Sequence, residues 1–196
     1  MTTQGQIIEN SERGRLLMQV LRGIKPKHIV EIGTWKGLGS TKCIIDSIDD
    51  KSNFISIESN YDFYLIAKNN LSNYHNKVNL LYGTIVTDKE VNKFVSDKNL
   101  TEEQKKWLSE DLENISKCEN VLEKIPSEID FLLLDGGEFS TYSEWEILKD
   151  RTKMVAIDDV RELKTKQIYE ELIYDNNYEL VVETPDGNGF CVFIKK

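Results

Sequence analysis

Five short apolar runs recur along the chain between polar turns: HIVEI at His28 to Ile32, FISIE at Phe54 to Glu58, VNLLY at Val78 to Tyr82, DFLLL at Asp130 to Leu134 and MVAID at Met154 to Asp158. Runs that are apolar at consecutive positions suit parallel strands buried on both faces. Between them, apolar positions take helical spacing over Leu38 to Ile48, Phe63 to Tyr74 and Tyr142 to Leu148. Strand alternating with helix predicts a doubly wound α/β sheet with right-handed crossovers. Upstream, Leu16, Leu17, Val20 and Leu21 share one face, which predicts a leader helix over Ser11 to Arg22, within residues 1–25, covering one end of the sheet. Downstream, YELVVE and FCVFIK flank TPDGNG, and a Pro/Gly turn between two extended runs predicts an antiparallel hairpin. The expected fold is a mostly parallel seven-stranded sheet with an antiparallel last strand, in a single domain spanning residues 1–196.

The stretch from Thr84 to Glu128 is longer than one crossover helix requires. Thr101-Glu102-Glu103-Gln104 reads as a capping box, after which Leu108, Leu112, Ile115 and Leu122 share a face. Residues 85–128 are therefore expected to form a helical insertion, serving as a lid, as the surface of a homodimer or as packing. Because it leaves the sheet after the first loops have been placed, it is expected to matter more for an acceptor or for assembly than for a cofactor.

Composition narrows the class. With 39% hydrophobic and 30% charged residues the chain is ordinary globular material. No run approaches the roughly 18 apolar residues of a membrane span, so no membrane partner is expected. The opening MTTQGQIIENSERGR lacks an apolar signal core, which points to a cytoplasmic protein. The net charge is -9, from 25 basic against 34 acidic side chains, and an acidic body repels phosphate backbones. Lys89, Lys105 and Lys106 alternate with acids rather than forming a basic stripe, so no nucleic-acid partner is expected. Cys43, Cys118 and Cys191 are too few and too scattered for a disulfide framework or a zinc site. His28 and His75 have no second ligand at metal spacing, and His28 reads as structural.

The first apolar run leads into Glu31-Ile32-Gly33-Thr34-Trp35-Lys36-Gly37-Leu38-Gly39-Ser40-Thr41. Residues without Cβ allow a tight turn and a close approach to a ligand there. The spacing G-x-x-x-G-x-G differs from the dinucleotide fingerprint, which has its second glycine where Trp35 stands, and the Gly-Lys-Ser/Thr ending of a Walker loop is missing. A nicotinamide reductase is disfavoured for that reason. Glu58 ends the second run, where the C-terminal edges of neighbouring strands open into one crevice and a carboxylate can accept both hydroxyls of a ribose.

The pattern E-x-G-x-x-x-G-x-G resembles the first motif of the seven-strand S-adenosylmethionine methyltransferases. That resemblance spans roughly Val30 to Lys195 and implies S-adenosylmethionine as cofactor, with Glu31, Gly33, Thr34, Gly37 and Ser40 around its methionine end and Glu58 on its ribose. Gly83 and Thr84 are expected in the pocket wall, with Thr84 standing where the family often has an acid.

Leu134-Asp135-Gly136-Gly137-Glu138 and Ile157-Asp158-Asp159 then bring three carboxylates to adjacent strand tips. Such a cluster repels itself unless a cation or bound protons neutralise it, and oxygen-only ligands favour a hard ion. The arrangement resembles the metal-dependent O-methyltransferases of catechols and sugar hydroxyls. It implies Mg²⁺ or Mn²⁺ on Asp135, Asp158 and Asp159, provided a bend brings Asp158 and Asp159 to one side. The phrase DGGEFSTYSEW also resembles the DGDHSYE-like motif of small-molecule methyltransferases, with Gly137 for the second acid and Glu138 for the histidine. Asp135 and Glu138 are the expected catalytic residues, Glu138 as general base, and Trp35, Tyr142 and Trp145 are candidates for the wall of a pocket for a small-molecule acceptor. Two other readings stay open: a metal-independent methyltransferase, and a cofactor-binding protein without turnover that acts through partners on its inserted helices.

Overall fold

In the computed structural model, which describes residues 5–196, five strands lie parallel: β1 His28–Ile32, β2 Asn53–Glu58, β3 Asn79–Tyr82, β4 Phe131–Leu134 and β5 Met154–Asp158. β6 Tyr178–Thr184 and β7 Phe190–Lys195 form the expected hairpin, and β7 runs antiparallel to both β5 and β6. The sheet order is β3-β2-β1-β4-β5-β7-β6. The chain reverses direction of travel between β1 and β4, so the tips of β1, β2, β4 and β5 meet at one crevice.

Alternate side chains of each strand feed two cores. Val30, Ile32, Leu132, Leu134, Val155 and Ile157 face one layer, while Ile29, Phe54, Phe131, Leu133 and Ala156 face the other. The second layer holds α1 Glu12–Ile24 and α2 Ser40–Ile45. The α1 helix starts at Ser11, whose hydroxyl accepts the Gly14 N–H, and it buries Leu17, Met18 and Leu21 against that core. The leader helix thus lies over a face of the sheet; the first four residues of its expected segment fall outside the described ones.

The other layer holds α6 Thr141–Leu148, α7 Leu163–Tyr174 and the segment between β3 and β4. That segment carries α4 Asp88–Val95 and α5 Glu102–Lys117, and Thr101 and Gln104 close the capping box as the sequence predicts. Val91, Ile115 and Val121 join the same core as the strands, and burying each such side chain contributes about 1.5–3 kcal/mol. The α3 helix, Tyr61–Asn70, begins two residues before the apolar spacing suggests, because Asn60 accepts the N–H groups of Asp62 and Phe63. No helix among the described residues is long and apolar enough to cross a membrane.

Candidate active site

The glycine loop leaves β1 at Gly33, whose φ of 94° lies in the left-handed region. A Cβ there would stand 2.1 Å from the carbonyl oxygen of Asp135, so only glycine lets the β1 and β4 tips come together. Gly37 has φ 74° and rests on the Leu71 side chain. Between them Trp35 is held at φ 50°, a conformation unfavourable for a large side chain, and its N–H donates to Glu58 Oε2 at 2.6 Å. Glu58 Oε1 accepts the Asn60 N–H at 2.8 Å. One carboxylate therefore ties the glycine loop to the start of α3. Burial raises Glu58 to about 7 in spite of those two donors. Each of its oxygens keeps a lone pair for a further donor.

Glu31 is wholly buried and accepts from Ser40 Oγ at 2.6 Å, Thr41 Oγ1 at 2.7 Å and Ser56 Oγ at 2.5 Å. Thr34 Oγ1 pairs in turn with Ser56 Oγ at 2.5 Å. Glu31 thus clamps the loop, β2 and the first turn of α2 from beneath. It lines neither cavity described below, in contrast to the expected ligand contact, because three hydroxyls surround its carboxylate. Burial pushes it up to about 7.

Two cavities flank the loop, and Gly33, Trp35 and Asp135 line both. The first, about 330 Å³, adds Thr34, Ser40, Asp159 and Lys164, with Gly5 to Ile7 along its rim. The second, about 280 Å³, contains Glu58, Phe63, Gly83, Glu110, Asp111 and Glu144. Thr84 stays out of both; it is buried, its N–H donates to the Glu119 carbonyl, and its hydroxyl accepts the Val86 N–H. Glu138 is half-buried and also lines neither cavity, since the turn after Asp135 sends it toward the start of α7. Of the aromatic candidates only Trp35 reaches the site: Trp145 is core, and Tyr142 stacks on Phe94 and donates to Glu171.

The insertion supplies part of this wall. Asp111 on α5 accepts the Phe139 N–H at 3.0 Å, which binds the insertion to the turn after β4, and burial raises its pKa. Glu110 and Asn114 line the second cavity beside it. The insertion thus contributes to the wall of a cavity that also contains Glu58 and Gly83. Glu144 is a further group that the sequence does not single out. Its carboxylate is buried, Oε2 has no hydrogen-bond partner among the described residues, and burial with Asp111 nearby raises it to about 8.

Asp135, Asp158 and Asp159 do converge, with one oxygen of each within 4.8 Å of the others. The required bend is present, since Asp159 adopts φ 55°. Two cations already stand among these three carboxylates, however. Lys164 Nζ lies 2.8 Å from Asp135 Oδ1 and 3.0 Å from Asp159 Oδ2. Arg13 Nη1 lies 2.9 Å from Asp158 Oδ1 and 3.6 Å from Asp159 Oδ1. Burial by itself lowers Lys164, but the carboxylates of Asp135 and Asp159 outweigh it and raise the ammonium well above its ordinary range. Burial raises Asp135 and Asp158 despite their cationic partners. The oxygen donors suit a hard cation in kind, yet the cluster as folded does not fit Mg²⁺ or Mn²⁺, because the ion would compete with a buried ammonium whose only ion-pair partners among the described residues are these acids. The neutralising charge that the sequence assigns to a bound ion is supplied in part by two side chains from distant segments.

Both cations left traces in the sequence. Arg13 falls on the same helical stripe as Leu17 and Leu21, a charge where apolar residues belong. Lys164 sits in the first turn of α7, where the helix dipole disfavours a cation.

No protein-family model and no curated protein matches this sequence. Solved structures match the fold. A methyltransferase from Geobacter sulfurreducens superposes with a TM-score of 0.65 at 15% identity, over 96% of this chain and 80% of its own. The O-methyltransferase from Bacillus cereus in complex with SAH gives 0.63 at 14%, over 94% and 80%. TomG from Streptomyces achromogenes, an O-methyltransferase of tomaymycin synthesis in complex with SAM, gives 0.63 at 14%, over 94% and 79%. This chain therefore has the α/β fold of the seven-strand methyltransferases.

Proposed function

We propose that the crevice binds S-adenosylmethionine (SAM, with SAH its demethylated product), and that the protein transfers the methyl group to a hydroxyl oxygen of a small-molecule acceptor. The observation that carries this reading is the pair of cavities around the Gly33 to Gly39 loop: the second is lined by Glu58, Glu110, Asp111 and Glu144 with no basic side chain among the described residues, while in the first Lys164 stands between Asp135 and Asp159. Such walls repel the pyrophosphate of a dinucleotide and suit a ligand that has no phosphate and carries a sulfonium cation. Glu58 can accept the ribose hydroxyls, with Phe63 and Gly83 beside the base. The methionine end then lies along Gly33, Thr34 and Asp135, with the reacting methyl toward the first cavity.

In the reaction the acceptor oxygen attacks the methyl carbon, and the carbon–sulfur electron pair returns to sulfur to give the neutral thioether. The hydroxyl proton passes to Asp135, which lines both cavities and whose burial makes it a better base than a free aspartate. Glu138 is set aside as base on its position. The protein's main contribution is to hold the two reactants in line. The metal-independent form is favoured by the ion pairs of Arg13 and Lys164, and a chelator is expected to leave turnover intact.

Calorimetry with SAH and with NAD tests the cofactor. We expect micromolar-range binding of SAH and none of NAD. Binding of NAD alone, or of neither, would overturn the reading.

A further inference from the structure

We propose that the cluster of Asp135, Asp158 and Asp159 is a built-in cation site, in which the Lys164 ammonium occupies the place a divalent metal would take and Arg13 closes the far side. Lys164 meets Asp135 and Asp159, while Arg13 meets Asp158 and Asp159, so Asp159 is shared between the two cations. Both cationic side chains are less than a tenth exposed. An ammonium has three N–H donors, and two are directed at Asp135 and Asp159. The third is free for an oxygen in the first cavity, which Lys164 lines with the same two acids.

The network depends on three separate parts of the fold. Arg13 comes from α1, Lys164 from α7, and the bend at Asp159 turns its carboxylate between them. The Arg13 guanidinium also reaches Gln6 at 2.9 Å and Asp186 at 3.7 Å, which anchors it from the rim and from the β6–β7 turn. A divalent ion entering here must expel the lysine from its only two ion-pair partners among the described residues. Inserting an ion without doing so places two more positive charges beside an ammonium in a low-dielectric site. The catalytic consequence rests on the methyl-transfer reading: a fixed ammonium steadies the charge that develops on the acceptor oxygen, which a metal does in other enzymes. The cation site itself does not rest on that reading, so the two can fail separately.

Mn²⁺ is the probe. Titrations followed by electron paramagnetic resonance, with thermal melts in parallel, are made on the wild type and on Lys164→Met, both loaded with SAH or free of it. We expect the wild type to bind no Mn²⁺ at millimolar concentration and to melt at the same temperature with Mn²⁺ or with chelator. In Lys164→Met the acids lose their partner, so the variant should melt lower and regain stability with Mn²⁺, binding it at least about tenfold more tightly than the wild type. Wild-type binding of Mn²⁺ that is abolished in Asp159→Asn overturns the proposal. So does a folded Lys164→Met that gains no affinity for Mn²⁺. Should Lys164→Met fail to fold, Lys164→Gln, which keeps most of the volume, takes its place, and the wild-type titration decides the first half by itself. SAH calorimetry on the same samples reports on the cofactor reading independently.

Discussion

Glu58 joins stability and ligand binding in one side chain. It holds Trp35 in an unfavourable backbone conformation through the 2.6 Å bond from the Trp35 N–H, and under the proposed function its ionised form accepts the ribose hydroxyls. Glu58→Ala should weaken SAH binding by about 1.5–3 kcal/mol, the range for a hydrogen bond to a charged group. Because burial raises Glu58 to about 7, the ligand-competent ionised form is complete above that pH and is lost below it. We expect SAH affinity to fall as pH drops from 8 to 6 and to change much less in Glu58→Gln, which calorimetry at several pH values will check. At Gly33 the constraint is steric, since a methyl group would meet the Asp135 carbonyl at 2.1 Å with φ already at 94°. Gly33→Ala should lower stability by more than about 1 kcal/mol, read from urea midpoints, and a wild-type midpoint would refute the close approach of the β1 and β4 tips. The glycine spacing and Glu58 were legible in the sequence because both belong to a strand tip and the turn that follows it. The destination of Glu138 was not, because the loop after Asp135 has no periodicity from which a direction can be read.

At the scale of elements, the insertion is where local pattern says least about placement. Its two helices were legible from the capping box and the apolar face, yet their place against the β4 turn was not. Asp111 makes the join. Asp111→Ala should leave the Phe139 N–H without its partner, lowering stability by about 1–3 kcal/mol, and should also weaken SAH binding. Parallel melting and calorimetry will show whether both fall; loss of stability with unchanged SAH affinity would mean that α5 only packs. The leader helix shows the same division. Its amphipathic face is a local property and predicted α1 correctly, whereas the ion pair from Arg13 to Asp158 spans 145 positions of sequence.

Over the whole molecule, buried carboxyl groups set the expected pH response, and Asp158, which burial raises to about 7, is one of them. Glu31 and Glu58 are raised to about 7 and Glu144 to about 8, against an ordinary 4.5, so in this range the folded state binds more protons than the unfolded one. Stability of the ligand-free protein should therefore increase as pH falls from about 8 toward 4.5, and that increment should be lost as pH rises through 7 to 8. Urea midpoints at pH 8 and pH 5.5 test it: a lower midpoint at the acid pH contradicts the assignment, and Glu144→Gln should flatten the dependence. By itself the sequence determined the seven strands, their mixed direction, the glycine loop and the gathering of three aspartates at adjacent strand tips. These follow from the period of apolar residues and from the rules by which strands and helices connect, which act over short stretches of chain. Only the tertiary structure decided that Arg13 and Lys164 pair with those aspartates, that α5 walls the second cavity and that Glu31 lies beneath the loop with three hydroxyls donating to it. Each of these depends on which distant segments the fold brings within a few ångströms of one another. Charge compensation in a buried site is set by that distance and by the local dielectric, and spacing along the chain carries neither.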